Sequence, residues 1–94
     1  MLHRQTVEGY QGTPAQLAED IGNLRYDGLA ELLRLLAEKI ERDGSKDQAR
    51  GRPRLAAALL RAADQTAAAA TSIEGAWRLS EPHMTESDSV KTEQ

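Results

Sequence analysis

The sequence predicts an all-α protein, a three-helix antiparallel hairpin or bundle with a short first helix and a long third helix. Three observations predict it. A helix-start signature lies at residues 13–16, leucines recur with helical spacing over residues 29–40, and an alanine-rich stretch over residues 55–77 has a near-heptad pattern. Because 94 residues suffice for one domain at most, the three helices should share one small core.

The first helix is predicted over residues 14–22. Residues 13–16 (TPAQ) place a capping hydroxyl before a proline at the first helical position, and the glutamine completes a capping box. Apolar residues then recur with helical spacing at positions 17, 21 and 24. The pair Gly22-Asn23 should end the helix, because either residue can adopt the left-handed conformation at a helix C-terminus.

The second helix is predicted from Tyr26 or Asp27 to about residue 42, where Asp43-Gly44-Ser45 should end it. Its apolar positions form the strongest helical pattern in the chain: Leu29, Leu32, Leu33, Leu36, Ala37 and Ile40. Leu35 widens this apolar arc to roughly 160° at about 100° per residue. One partner helix normally covers less than that, so something else must also pack there.

The third helix is predicted from about residue 54 to residue 80, after a polar, arginine-rich connector at 46–53. It should end before Glu81-Pro82, because a residue that precedes proline disfavours the α conformation. Small residues in the middle of its apolar seam should let two helices approach closely. The seam consists of Leu55, Leu59, Ala62, Thr66, Ala69 or Ala70, Ile73 and Trp77.

These elements suggest a domain organisation and a packing scheme. Residues 1–12 are predicted to be a flexible N-terminal arm, 13–80 the helical domain and 81–94 a disordered tail. In an antiparallel arrangement the second helix should cover the start of the third, and the first helix should reach Ile73 and Trp77.

The composition argues that one chain cannot build a large core. Phe is absent, aromatic residues make up 3% of the chain, and much of the apolar content is alanine. Ordering residues 14–80 costs on the order of 100 kcal/mol, which needs roughly 4,000 Å² of apolar burial to offset. We therefore expect a homodimer that resembles a four- to six-helix bundle, with Leu35 and Leu60, which lie off the main seams, at the second interface.

Trp77 has two interpretations. It can close the end of the bundle as a core residue, or it can be an exposed anchor for a protein partner, since tryptophan is enriched at binding hot spots.

Charge and cysteine content exclude several classes of function. A net charge of −3 and a pI near 5.3 give no global attraction to nucleic acid or anionic membrane. Without cysteine there is no disulfide, thiolate metal site or cysteine nucleophile, which suits a reducing compartment. We find no signal peptide or membrane-spanning segment and expect a cytoplasmic protein without membrane contact.

The sequence predicts no catalytic, cofactor-binding or metal-binding residue. His3 and His83 both lie in the predicted tails, so neither is held in place for acid–base chemistry or metal binding. The helices carry several carboxylates, but the Glu-x-x-His pairs of a di-iron bundle are missing. A solvated helix face explains these carboxylates.

A basic segment is one candidate local site for nucleic acid. Arg50-Gly51-Arg52-Pro53 resembles the core of the AT-hook, whose extended Arg-Gly-Arg lies in the narrow minor groove of A·T-rich DNA. The candidate nucleic-acid contacts are Lys46, Arg50, Arg52 and Arg54. The simpler interpretation is a loop that leads into the third helix, with proline at its first position.

Residues 17–32 also resemble a helix-turn-helix, in which an alanine packs at the helix crossing and Gly22 makes the turn. The match needs a one-residue insertion at Asn23. The second helix would present a mixed-to-acidic surface to DNA phosphates, so two packed helices with a glycine cap remain the alternative.

Three segments together resemble a group of short, uncharacterised helical proteins from cyanobacteria. They are Tyr10-Gln11-Gly12, residues 17–27 (LAEDIGNLRYD), and Ala76-Trp77-Arg78 followed by residues 81–84 (EPHM). The resemblance spans about residues 10–84 and implies a cytoplasmic bacterial setting.

The sequence as a whole indicates a non-enzymatic helical module for protein–protein interaction or assembly, with an unidentified protein partner. The alternative is a nucleic-acid-associated regulator that uses the Arg50–Arg54 segment. An enzyme with a carboxylate site is the third hypothesis.

Overall fold

The computed structural model describes residues 3–83 and shows an all-α protein in this part of the chain. Helix α1 spans Pro14–Gly22, α2 spans Tyr26–Ala49 and α3 spans Pro53–Ser80, and a 3-10 turn follows at Glu81–His83. The predicted fold class, with its short first helix and long third helix, is therefore confirmed. The rest of the predicted disordered tail lies outside the described residues.

Helix α1 begins through the predicted capping box. The backbone N–H of Gln16 donates to the Thr13 hydroxyl at 3.1 Å, and the backbone N–H of Thr13 donates to the Gln16 side chain at 2.7 Å. The helix ends at Gly22, as predicted, but Asn23 caps it in the right-handed helical region, with φ −86°. Within residues 3–83, extensive packing between α-helices occurs only between α2 and α3.

Helix α2 continues past residues 43–45, so the prediction that it ends there is wrong. Gly44 is buried inside the helix, and a Cβ atom built on it would lie 3.0 Å from Leu60 Cδ2 and 3.3 Å from Leu59 Cβ. The glycine at this position lets α3 approach closely and does not end α2. The sequence around Gly44 suits either role, and the packing of α3 decides between them.

A turn of three residues joins α2 to α3, in place of the predicted connector at 46–53. Gly51 has a φ of +76°, a value that favours glycine. Asp47 holds the turn from inside: its carbonyl accepts the backbone N–H of Arg52 at 2.9 Å, and its carboxylate accepts the Arg52 guanidinium at 3.2 Å. Pro53 then starts α3.

Helices α2 and α3 pack antiparallel along rows of small residues. Gly44 lies against Leu59 and Leu60, whereas Arg34 bonds to Glu74 farther from the turn. The buried small residues recur at intervals of seven on both helices, as in a heptad pattern. They are Ala30, Ala37 and Gly44 on α2, and Ala56, Ala63 and Ala70 on α3.

The predicted seam of α3 is partly correct. Ala70 is buried, whereas Leu55 and Ala69 are exposed. The other members are half-buried: Leu59, Ala62, Thr66, Ile73 and Trp77. The small residues adjoining the predicted seam hold the centre of the contact, because only they allow the helix axes to come this close.

The place beside Trp77 that the sequence assigned to α1 is taken by the start of α2. The Arg25 guanidinium, one residue before α2, lies 5.0 Å from the centroid of the Trp77 ring. Because α2 is longer than predicted, it pairs with nearly all of α3 without help from α1.

The molecule is a thin plate. Its extents are 53 × 30 × 14 Å, and a helix with its side chains is about 10–12 Å across. Over residues 3–83 the molecule is therefore long and flat, and His3 of the N-terminal arm lies beside Leu55 and Leu59 on one side of the hairpin.

Candidate interaction surfaces

The large apolar side chains of α2 and α3 gather on one side of the plate, which we call the leucine face. It consists of Leu29, Leu32, Leu36 and Ile40 on α2 with Leu55, Leu59 and Ile73 on α3. Asp43 and Asp47 line one concavity together with Leu55 and Leu59. Because each aspartate lies seven residues after Leu36 or Ile40, two helical turns away, all these side chains share a side.

The leucine face is substantially open to solvent. Leu32, Leu36 and Leu55 are 37%, 47% and 46% exposed. The sequence predicts that the leucines of α2 are shielded by the Leu55–Trp77 segment of this chain or of a second copy, and within the single chain that segment leaves Leu32 and Leu36 partly open. Alanines form the centre of the contact, and their methyl groups are too short to reach over the flanking leucines. The 160° apolar arc on α2 was the signal for this exposed surface.

The three residues that the sequence offered for protein contacts, two for a second interface and Trp77 as an anchor, lie apart in the structure. Leu60 is half-buried against Gly44, inside the hairpin, so its predicted role in an outer interface does not fit its position. Leu35, 53% exposed, and half-buried Trp77 line one groove on the other side of α2. Sequence reasoning therefore found two members of one groove but missed the leucine face as a surface.

That groove has a volume of about 300 Å³ and carboxylate walls. Arg34 donates to both carboxylate oxygens of Glu74, at 2.9 and 3.2 Å, and to the Thr71 hydroxyl at 3.1 Å. This fork joins α2 to α3. The groove is lined by Asp27, Glu31, Arg34, Leu35, Glu38, Glu74 and Trp77.

Trp77 lies at the open end of the hairpin, where a local ion pair covers its ring. The Arg25 guanidinium lies over the indole and donates to both oxygens of Asp27, at 2.7 and 2.8 Å. These bonds raise the pKa of Arg25 and lower the pKa of Asp27. Trp77 is thus half-buried beneath an arginine of the same chain. Its position lies between the two interpretations from the sequence, a core residue that closes the bundle and an exposed anchor for a partner.

The four basic residues predicted to contact nucleic acid lie at or near the turn. Lys46, Arg50, Arg52 and Arg54 are all exposed in this region. The turn is closed by helix-end hydrogen bonds, and Arg52 is engaged by Asp47, so residues 50–53 do not form the extended chain that an AT-hook presents. Two aspartates, at 43 and 47, share this end.

Charged groups near the turn also come from the N-terminal arm. His3 lines the concavity of about 220 Å³ that contains Asp43, and Lys39 donates to the Asp43 carboxylate at 2.6 and 2.8 Å. The lysine contact lowers the pKa of Asp43. Residues 3–83 contain no group of three His, Asp or Glu side chains that could hold a metal ion.

The proposed helix-turn-helix is not assembled. Helix α1 makes little contact with α2, whereas the two helices of that motif pack against each other. Instead the arm is tied to α1, because the Tyr10 hydroxyl donates to the Asp20 carboxylate at 2.8 Å, which raises the pKa of Tyr10.

No family model, curated protein or solved structure matches the chain. The resemblance to cyanobacterial proteins therefore stays a prediction. None of the helices in the described region has the length and apolar content needed to cross a membrane.

Proposed function

We propose that this protein is a non-enzymatic assembly module that binds a helical protein surface through its leucine face. One observation carries the proposal: Leu32, Leu36 and Leu55 are exposed on a hairpin whose buried hydrophobic residues, within 3–83, are all alanines. An ordinary domain also buries large apolar side chains fully, and no large side chain among residues 3–83 is fully buried.

The energetics favour a partner on this face. Fully burying a leucine side chain is worth about 1.5–3 kcal/mol, whereas a buried methyl group contributes roughly 0.8 kcal/mol. Leucines that are one-third to one-half exposed leave much of that stabilisation unused in the single chain. A partner that covers these leucines supplies the remaining stabilisation.

The flat shape suits the same role. A flat hairpin can accept helices on the part of the leucine face that the N-terminal arm leaves open and so complete a bundle, in which apolar positions on neighbouring helices face a shared core. We also propose that the protein acts in the cytoplasm, as the sequence led us to expect.

Site-specific photo-crosslinking in the cells that make the protein tests this function. A photoreactive amino acid at Leu36 should yield a defined crosslinked product, because a partner lies on that side. The matched control is Leu79, which is 80% exposed and lies outside the leucine face. Equal crosslinking at the two positions, or none at Leu36, would contradict the proposal.

The nucleic-acid alternative rests on the basic residues around the turn. We do not adopt it, because Arg52 is engaged by Asp47 and the segment is folded into a closed turn. The matching test is binding to A·T-rich duplex at about 50 mM salt, where phosphate contacts are strong. Binding that Arg52→Ala weakens would revive this alternative.

A further inference from the structure

We propose that a second surface of the hairpin, the acidic groove, binds a basic amphipathic helix of another protein. The acidic groove is the groove of about 300 Å³ that Leu35 and Trp77 line together with four carboxylates. The proposed occupant places an apolar side chain over Leu35 and Trp77. A lysine or arginine on each side of that apolar residue pairs with Glu31 or Glu38. Because this surface is separate from the leucine face, the inference goes beyond the proposed function.

The floor of the acidic groove is apolar and open to solvent. Leu35 is 53% exposed although it lies in the interior of α2, and half-buried Trp77 lines the same groove from α3. An apolar side chain that covers such a leucine removes its surface from water, which is favourable. A face that only meets solvent has no need of this leucine, so the floor favours an occupant with an apolar residue.

The charge of the acidic groove is only partly compensated within the chain. Four carboxylates and one guanidinium line it, a net charge of −3. Two of the carboxylates have arginine partners from this chain, Arg34 and Arg25. Within residues 3–83 the other two, Glu31 and Glu38, form no ion pair, and both are exposed. The remaining negative charge favours a basic occupant, because complementary charge selects among partners.

The helix dipole does not account for these two glutamates. Carboxylates are favoured in the first turn of a helix, where Asp27 lies, and the effect falls off beyond that turn. Glu31 and Glu38 lie farther along α2. Arg42, one turn beyond Glu38, ends the acidic stretch on this side of the helix. The basic residues of the occupant should therefore lie along residues 27–38.

An arginine of the chain itself shows how a cation binds at one end of this groove. The Arg25 guanidinium lies 5.0 Å from the centroid of the Trp77 ring and donates to both oxygens of Asp27, at 2.7 and 2.8 Å. An aromatic ring and a carboxylate together attract a basic side chain through its charge and its hydrogen bonds. Glu31 and Glu38 offer further carboxylates along the same groove.

The spacing of the two glutamates fits one helix. Glu31 and Glu38 are separated by two helical turns, about 10.5 Å, and Leu35 lies between them. On a second helix laid along α2, basic residues two turns apart have the same separation, and an apolar residue one turn from each lies on the same side. An amphipathic helix therefore meets both glutamates and the leucine at once, which is how helices bind in the grooves of their partners.

The fluorescence of Trp77, the only tryptophan in the chain, reports directly on the acidic groove. The probe is an alanine- and glutamine-based peptide of about 18 residues, long enough to form a helix. It carries one leucine, with a lysine one turn before it and a lysine one turn after it. We expect a saturable change in Trp77 emission when the peptide is added to the full chain. A peptide with glutamate in place of both lysines should cause no change.

Two double variants locate the binding. Glu31→Gln/Glu38→Gln should bind the lysine peptide about fivefold more weakly, because each exposed ion pair contributes modestly. Glu19→Gln/Asp64→Asn removes the same charge at exposed positions outside the groove and should bind as the wild type does. Leu36→Glu, on the leucine face, should also retain binding. Circular dichroism checks that all variants keep their helices.

The proposal is overturned if both double variants weaken binding equally, because net charge alone would then attract the peptide. It is also overturned if the lysine peptide leaves the emission unchanged up to about 1 mM, a weak-binding limit. Emission that changes with protein concentration alone would assign the groove to a second copy, and an equal response to spermidine would assign it to a small polycation. Either result replaces the proposed partner. Crosslinking at Leu36 tests the proposed function independently of these outcomes.

Discussion

At the scale of single residues, the glycine at position 44 determines how closely α2 and α3 approach. It is buried in mid-helix, where glycine normally costs roughly 1 kcal/mol relative to alanine. The neighbouring atoms explain its presence, because Leu60 and Leu59 already lie at contact distance from an added Cβ. Helix propensity is given up here for a closer contact between helices.

Replacement of Gly44 with valine should therefore destabilise the protein. The branched side chain meets Leu59 and Leu60, and overpacking of this kind costs about 1–3 kcal/mol. The free energy of unfolding in urea measures the loss. Gly28→Val is the matched control, since nothing lies within 4 Å of a Cβ at Gly28, and we expect it to stay within about 0.5 kcal/mol of wild type. Equal losses would contradict the close-contact role of Gly44.

Two aspartates make the stability of the fold depend on pH. The pKa of Asp27 is lowered by Arg25, and the pKa of Asp43 is lowered by Lys39, in both cases from an ordinary 3.8. The folded state therefore binds fewer protons than the unfolded state, so these groups stabilise the fold above about pH 4 and lose that effect as pH falls through their folded pKa values.

We accordingly expect the free energy of unfolding to fall between about pH 4 and pH 2, the range in which carboxyls with lowered pKa values become protonated. In the double variant Asp27→Asn/Asp43→Asn, the decrease over this range should be smaller than in the wild type. Urea titrations at each pH provide the measurement. An unchanged pH dependence in the variant would show that the two ion pairs contribute nothing.

At the scale of elements, the rows of small residues are the basis of the hairpin. Ala56 and Ala70 have no exposed surface, whereas their flanking leucines remain partly open. The helix starts were predictable because the capping signal at Thr13 and the proline at position 53 act locally. The end of α2 was not predictable, because it depends on how α3 packs against Gly44, many residues away in sequence.

Leucine at position 70 should force the helices apart. We expect Ala70→Leu to lower the free energy of unfolding by about 1–3 kcal/mol through overpacking. Ala68→Leu provides a control in the same helix, because Ala68 is exposed, and its effect should be about 0.5 kcal/mol or less. Thermal and urea unfolding compare the two. The same loss in both variants would argue against a close alanine contact.

At the scale of the whole molecule, the surface could be predicted only in part. The wide apolar arc on α2 indicated that a second partner was needed, and Leu35 and Leu60 were assigned to it, whereas the leucine face that the structure leaves open contains Leu36 and Leu55. The difference arises because the helix spacing alone does not locate the centre of the contact. The centre of the contact follows the small residues, and a hydrophobicity scale ranks these below leucine. The leucines therefore lie at the edge of the contact.

If two copies complete one core, thermal stability depends on concentration. For a dimer of this length, a tenfold rise in protein concentration should raise the Tm by about 4 °C. Differential scanning calorimetry at about 10 and 100 µM, concentrations suited to a micromolar Kd, provides the test. In Leu36→Glu the Tm should not change with concentration. A wild-type Tm that is equally insensitive would indicate that the single chain is stable alone.

The turn of three residues also has a consequence for alternative alignments of the two helices. A row of alanines spaced by seven matches itself again after a displacement of seven residues, about 10.5 Å along the helix. The row of alanines alone would therefore allow one helix to slide along the other. A turn this short cannot bridge such a displacement, so it admits one alignment. Lengthening the turn would remove that restriction and would allow a helix to exchange between copies, as in domain swapping.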